Sequence, residues 1–247
     1  MITLYQFPRL LGVPNMSPFC LKLEAWLRMA ELKYDIREVT DPRKSPKGKL
    51  PYIRDNDTTV ADSAIAIDYL KKTYKIQLDS HLSLADSAVA RAFEKMLEEH
   101  LYWALIYNRW IDENWTKVRD ACFSTLPALV RTFVPVLAQK NMKDALDGNG
   151  IGRHSRDEIY EMANKDLKAI TDFLADKPYL MGDKPSSIDA TLFAFLCNII
   201  DVPLRSPMKD YVHKSDNLMR YNQRMGQQLF PEFFKDEESD EAWLTER

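Results

Sequence analysis

The sequence predicts an α/β domain over residues 1–76 followed by an all-helical domain over residues 84–247. Three observations carry this. The first forty residues read strand, amphipathic helix, strand, the opening of a right-handed βαβ unit. Residues 50–61 then read as two short strands joined by a polar turn. Beyond Leu84, apolar residues recur three and four apart and no alternating pattern returns.

Residues 2–7 form the first expected strand, and Pro8, Gly12, Pro14 and Asn15 mark a loop after it. Ser17 stands where a helix N-cap is expected and Pro18 where the first helical residue is expected, so a helix runs from Pro18 to about Glu31. Tyr34 to Val39 is the second strand. Two prolines and a glycine make the basic segment 41–49 irregular. The hairpin pairs 50–54 with 58–61 across Asp55-Asn56-Asp57, and a helix starts at Asp62. The pattern breaks near Tyr74 to Ser83.

A long helix is expected from Leu84 to about Glu113, with Trp115 in the connection after it. Its stripe of Met96, His100, Trp103, Tyr107 and Trp110 is a candidate acceptor wall, distinct from Phe93, Leu97, Leu101 and Ala104. Residues 116–146 form a helical region that Pro127 and Pro135 kink or divide. Gly148, Gly150 and Gly152 stop it. Ser155 and Glu158 then have capping-box spacing, Ser186 and Asp189 a related one, and the nearly all-apolar 190–200 is expected at the centre of the second domain. The acidic end, Asp236 to Arg247, is expected to be mobile or loosely docked.

The composition narrows the function. A net charge of -3 gives no sign of a nucleic-acid binder. Cys20, Cys122 and Cys197 are too few and too scattered for a disulfide framework, which suits a reducing cytoplasm, and Cys122 and Cys197 read as core residues. No apolar run approaches the ~20 residues that span a bilayer, and no signal peptide opens the sequence. The histidines and cysteines lack metal-ligand spacing.

The chemistry centres on Ser17-Pro18-Phe19-Cys20. The positive field of a helix N-terminus favours anions and thiolates. Ser17 can accept a helix N–H as a cap and still donate its own proton. Leu50-Pro51 opens the hairpin, where a cis bond would turn the Leu50 backbone toward a peptide-like ligand, although a proline at a strand's first residue is also ordinary. Asp62 and Ser63 offer a second helix start, which serves equally as a plain cap.

Taken in order, these features resemble the glutathione transferase superfamily over most of the chain. Lys47-Gly48-Lys49-Leu50-Pro51-Tyr52-Ile53 resembles its cis-proline segment, Asp62-Ser63-Ala64-Ile65 with Tyr69-Leu70 its acidic-serine helix start, and Gly182 to Asp189 its helical capping motif. Ser17-Pro18-Phe19 with Lys22-Leu23-Glu24, together with Gly152-Arg153-His154-Ser155, most resembles the failed axon connections and metaxin-like branch.

The resemblance implies a thioredoxin-like N-terminal domain, a glutathione-transferase-type helical domain and a cytoplasmic homodimer that conjugates glutathione, its co-substrate, to a small electrophile without a metal. It assigns Ser17 to the thiolate, Leu50 and Pro51 to the cysteinyl part, and Asp62 and Ser63 to the γ-glutamyl end. Lys47 and Lys49 are candidates for the glycyl carboxylate, and Arg153 and His154 for the acceptor cleft. A non-catalytic adaptor role and thiol–disulfide exchange through Cys20 are the alternatives; the second is disfavoured because Ser17 holds the place of the attacking thiol.

Overall fold

The computed structural model describes residues 1–234. Strand β1 (Ile2–Gln6) lies second in a four-stranded sheet of order β2-β1-β3-β4. It pairs in parallel with β2 (Tyr34–Glu38) through the crossover helix α1 (Pro18–Met29), and antiparallel with β3 (Tyr52–Asp55). Strand β4 (Thr58–Ala61) closes the hairpin across a two-residue turn in which Asn56 takes a left-handed φ of 52°. Helix α2 (Ser63–Tyr74) follows directly. Between β2 and β3 the basic segment holds a single 3-10 turn, Pro42–Lys44, and is otherwise irregular.

The register positions the site. Tyr52 lies opposite both Tyr5 of β1 and Ala61 of β4. Pro51 and Asp62 therefore emerge at the end of the sheet where β1 runs out at Gln6 and the chain turns toward α1. One sheet end gathers three segments from distant parts of the sequence.

The helical part comprises α3 (Leu84–Lys95), α4 (Tyr102–Trp110), α5 (Trp115–Phe123), α6 (Ala128–Asn149), α7 (Arg156–Leu174), α8 (Ser187–Ile200), α9 (Pro207–His213) and α10 (Asp216–Leu229). Helix α8 is buried at every residue from Ile188 to Ile200 and packs along α1, so both parts of the chain share one core. Asp189 closes its start. The buried carboxylate accepts from the Ser186 N–H at 2.8 Å, the Leu180 N–H at 2.8 Å and the Tyr221 hydroxyl at 2.9 Å. Trp26 of α1 donates its indole N–H to Ser187 Oγ at 2.9 Å, and Asp79 accepts from the Ser187 N–H at 2.6 Å.

The helical part departs from the expectation at several points. The long helix from Leu84 is interrupted by a π-helical turn at Met96–Leu101, and Trp115 begins α5 rather than lying in a connection. Lys22 of α1 holds this turn, its ammonium 2.5 Å from Glu94 and 2.6 Å from Glu98. Pro127 does divide the next region, but Pro135 stays within α6, where its missing N–H removes one ladder bond without ending the helix. Gly150, at φ 103°, stops α6 as expected. Residues 236–247 lie outside the described residues.

Candidate functional site

Ser17 caps α1, accepting the Cys20 N–H at 3.3 Å, and its hydroxyl also interacts with the Cys20 thiol one turn into the helix. The loop before it is tightly held. Asn15 accepts the Ser17 N–H at 2.9 Å and donates to the Phe7 carbonyl at 2.8 Å. With Pro18 as the first helical residue, the α1 N-terminus presents a half-buried hydroxyl within the positive end of a helix.

The Leu50-Pro51 bond is cis. Leu50 sits just outside the β1–β3 ladder, and its backbone N–H and C=O find no partner among the described residues. At α2 the geometry corrects one expectation. The Asp62 carboxylate occupies the Ala64 and Ile65 N–H groups at 2.9 and 3.2 Å, so these are not free for a ligand. What remains is the buried Ser63, whose N–H and hydroxyl are unpaired among the described residues, and the second oxygen of the exposed Asp62. The sheet end thus brings Ser17, Leu50, Pro51, Asp62 and Ser63 together. Lys47 and Lys49 stay on the exposed loop without an ion pair among the described residues.

Cys20 is fully buried one turn into α1. Burial pushes its thiol up to about 12, although the Ser17 hydroxyl and the Phe7 backbone pull the other way. A thiol so rarely ionised is a poor nucleophile, which weighs against the redox alternative. Cys197 is core, as expected, but Cys122 is exposed, contrary to expectation.

The proposed aromatic wall is also redistributed. The π-turn adds a residue to one turn and breaks the stripe's register. His100 turns to Asp166 of α7 at 2.6 Å, Tyr107 packs edge-on against Tyr160, and Trp110 stacks on Trp115. Phe19 at the α1 N-terminus meets Tyr102, the ring centroids 5.0 Å apart, and Phe195, 6.2 Å apart. Arg153 and His154 are exposed; His154 lies 3.8 Å from Glu158.

Two residues that the sequence reading missed reach the Ser17 loop from the helical part. Arg109 of α4 donates to the Met16 carbonyl and, at 2.7 Å, to Asn198 Oδ1; Asn198 of α8 donates to the Asn15 carbonyl at 3.1 Å. A lone asparagine in an apolar helix was the available signal for Asn198; nothing local marked Arg109.

The family model for the glutathione S-transferase N-terminal domain matches residues 18–115, and that for the C-terminal domain residues 163–225. An isoprene-epoxide glutathione S-transferase of Rhodococcus sp. (strain AD45) is 36% identical, over 92% of this chain and 99% of that protein. The chain belongs to the glutathione S-transferase family. Within this family it is also similar to Failed axon connections of Drosophila melanogaster, 35% identical over 94% of this chain, which spans 59% of that longer protein. Metaxin-1 of Mus musculus is 28% identical over 89% of this chain and 72% of its own length. Among solved structures, a glutathione S-transferase of Ceriporiopsis subvermispora in complex with glutathione has a TM-score of 0.64 at 19% identity, covering 92% of this chain and 97% of that one. The shared fold is a thioredoxin-like domain followed by a helical domain. Among the described residues no cluster of acidic, histidine or cysteine side chains is arranged to hold a metal, and no helix is long and apolar enough to cross a membrane.

Proposed function

We propose that the protein is a glutathione transferase in which Ser17 stabilises the thiolate. The reading is supported by the sheet end: the Ser17 hydroxyl at the α1 N-cap, the backbone of Leu50 and the donors of Ser63, the last two unpaired among the described residues, lie on segments that converge at that end. These groups match a tripeptide. Leu50 pairs with its cysteinyl backbone as an added strand, Ser63 donates to the γ-glutamyl carboxylate, and Asp62 accepts from the ammonium. Lys49 serves the glycyl carboxylate as a solvated cation.

The Ser17 hydroxyl, donating to sulfur within the helix field, favours the thiolate over the thiol and enlarges the nucleophilic fraction near neutral pH. Sulfur then attacks an electrophilic carbon. The C–S bond forms as the leaving group departs with the bonding pair as an anion, or as the oxygen of an opened epoxide takes that pair and then a proton from solvent. The Rhodococcus relative, named for isoprene epoxide, supports a small electrophile of this kind. Tyr102 beside Phe19 lines the acceptor side.

A binding-only role is the second reading. It is favoured by similarity to Failed axon connections at nearly the same identity as to the transferase.

Calorimetry with glutathione and conjugation of a generic aromatic electrophile test both readings. Wild type binds and turns over, and Ser17→Ala loses about 100-fold in kcat, the scale for removing one donor to a developing or bound anion. Binding without turnover would favour the second reading, and no binding would refute the transferase reading while leaving a non-catalytic adaptor. Full activity in Ser17→Ala would refute the mechanism.

A further inference from the structure

Arg109 is a buried cation without a counter-ion. It is 5% exposed, no carboxylate pairs with it among the described residues, and its Nε lacks any partner. Burying an unpaired guanidinium is expensive, which singles the position out from ordinary core. Burial draws its ionisation down to about 10, so it stays charged at neutral pH. The titratable groups facing it are Tyr102 on its own helix, Cys122 of α5 and Cys197 of α8. Its hydrogen bonds go to the Met16 carbonyl and to the carbonyl and side chain of Asn198, and Asn198 in turn holds Asn15. Two of these links, from Arg109 to Met16 and from Asn198 to Asn15, run from the helical domain into the two residues that precede Ser17.

We infer that Arg109 is a positioning residue for the thiolate site: through the Met16 carbonyl, and through Asn198 on Asn15, it fixes the loop that aims Ser17. Its charge adds to the α1 helix field on the side from which the loop is held, so removing it both loosens the hydroxyl and weakens the field that favours a thiolate. Lysine keeps the charge but not the planar fork that spans two acceptors, so it restores only part of the effect.

The inference rests on the proposed function for one of its two readouts. The first is amide hydrogen exchange in the ligand-free protein. In Arg109→Met the Ser17, Cys20 and Leu21 amides, all bonded within the N-cap, exchange at least tenfold faster, while those of β1, β3 and β4 are unchanged. The second is ultraviolet titration of the thiol of bound glutathione. Its pKa rises by about one unit in Arg109→Met, a tenfold loss of thiolate below the pKa, and by less in Arg109→Lys. Unchanged exchange at the three amides in folded Arg109→Met overturns the inference, and in Arg109→Lys does so if the methionine variant fails to fold. If wild type binds no glutathione, the proposed function fails instead, and exchange alone decides.

Discussion

Lys22 offers a sharp energetic test of how the two parts of the chain are joined. Its ammonium is 1% exposed and lies between Glu98, itself 4% exposed, and Glu94. Replacing lysine by methionine keeps the apolar stem but strands two carboxylates. Breaking a buried ion pair from one side costs about 3–5 kcal/mol. Glu98 retains Lys95 at 2.7 Å and Glu94 retains Arg91 at 2.5 Å, which places Lys22→Met at the lower end, about 3 kcal/mol. For a protein of this size that lowers the melting temperature by about 6–12 °C. Thermal unfolding followed by circular dichroism gives the shift, and Lys22→Met with Glu98→Gln should recover part of it, since the stranded charge is gone. A single variant that melts within one degree of wild type would refute the idea that this pair holds α1 to the π-turn.

Three other outcomes follow from the geometry. Alkylation of the native protein should modify Cys122 and leave Cys20 and Cys197 until denaturant is added, as read by peptide mass spectrometry; rapid labelling of Cys20 would reopen the redox alternative. Burial pushes the Asp79 carboxyl up, but bonds from Lys71 and from the Ser187 N–H and hydroxyl outweigh it and hold it below its usual value. A depressed folded-state pKa contributes stability that is present above the unfolded pKa of about 4 and is lost as pH falls through the folded value. Asp79→Asn should therefore lower stability at pH 7 and flatten its acid slope in urea titrations; an unaltered slope would contradict the assignment. Gly226→Ala places a methyl group against the Phe234 ring and should cost about 1–3 kcal/mol in the same assay, whereas no loss would show that the ring is free to move.

The parts of this fold that could be read from the sequence are those whose chemistry is local. The boxes at Ser155–Glu158 and Ser186–Asp189 cap α7 and α8 because serine and a carboxylate three residues on satisfy each other wherever a helix starts. The hairpin was readable from its polar turn and strand pattern. Of the site, Ser17, Leu50-Pro51 and Asp62-Ser63 all fall at one end of the sheet because strand register brings them there. The π-turn was hidden, since the residue that pairs with it, Lys22, lies more than seventy residues earlier. Arg109 was hidden for a different reason: its acceptors include backbone carbonyls, which every residue possesses and no sequence pattern advertises. The exposure of Cys122 also depends on tertiary packing, and a cysteine's ordinary tendency to bury misleads there.

The bonds that hold the Ser17 loop have a consequence for timing. Arg109 and Met16 are 93 positions apart, and Asn198 and Asn15 are 183. Contacts across such separations carry the largest loop-closure cost and are made after local structure has formed. During synthesis the sheet and both helix starts can be complete while more than half of the chain is still to come, yet the hydroxyl is not anchored from above until α8 has emerged. A nascent or truncated chain that already has the right outline therefore lacks its finished reactive corner, and competence arrives with the helical domain rather than with the sheet that carries the ligand groups.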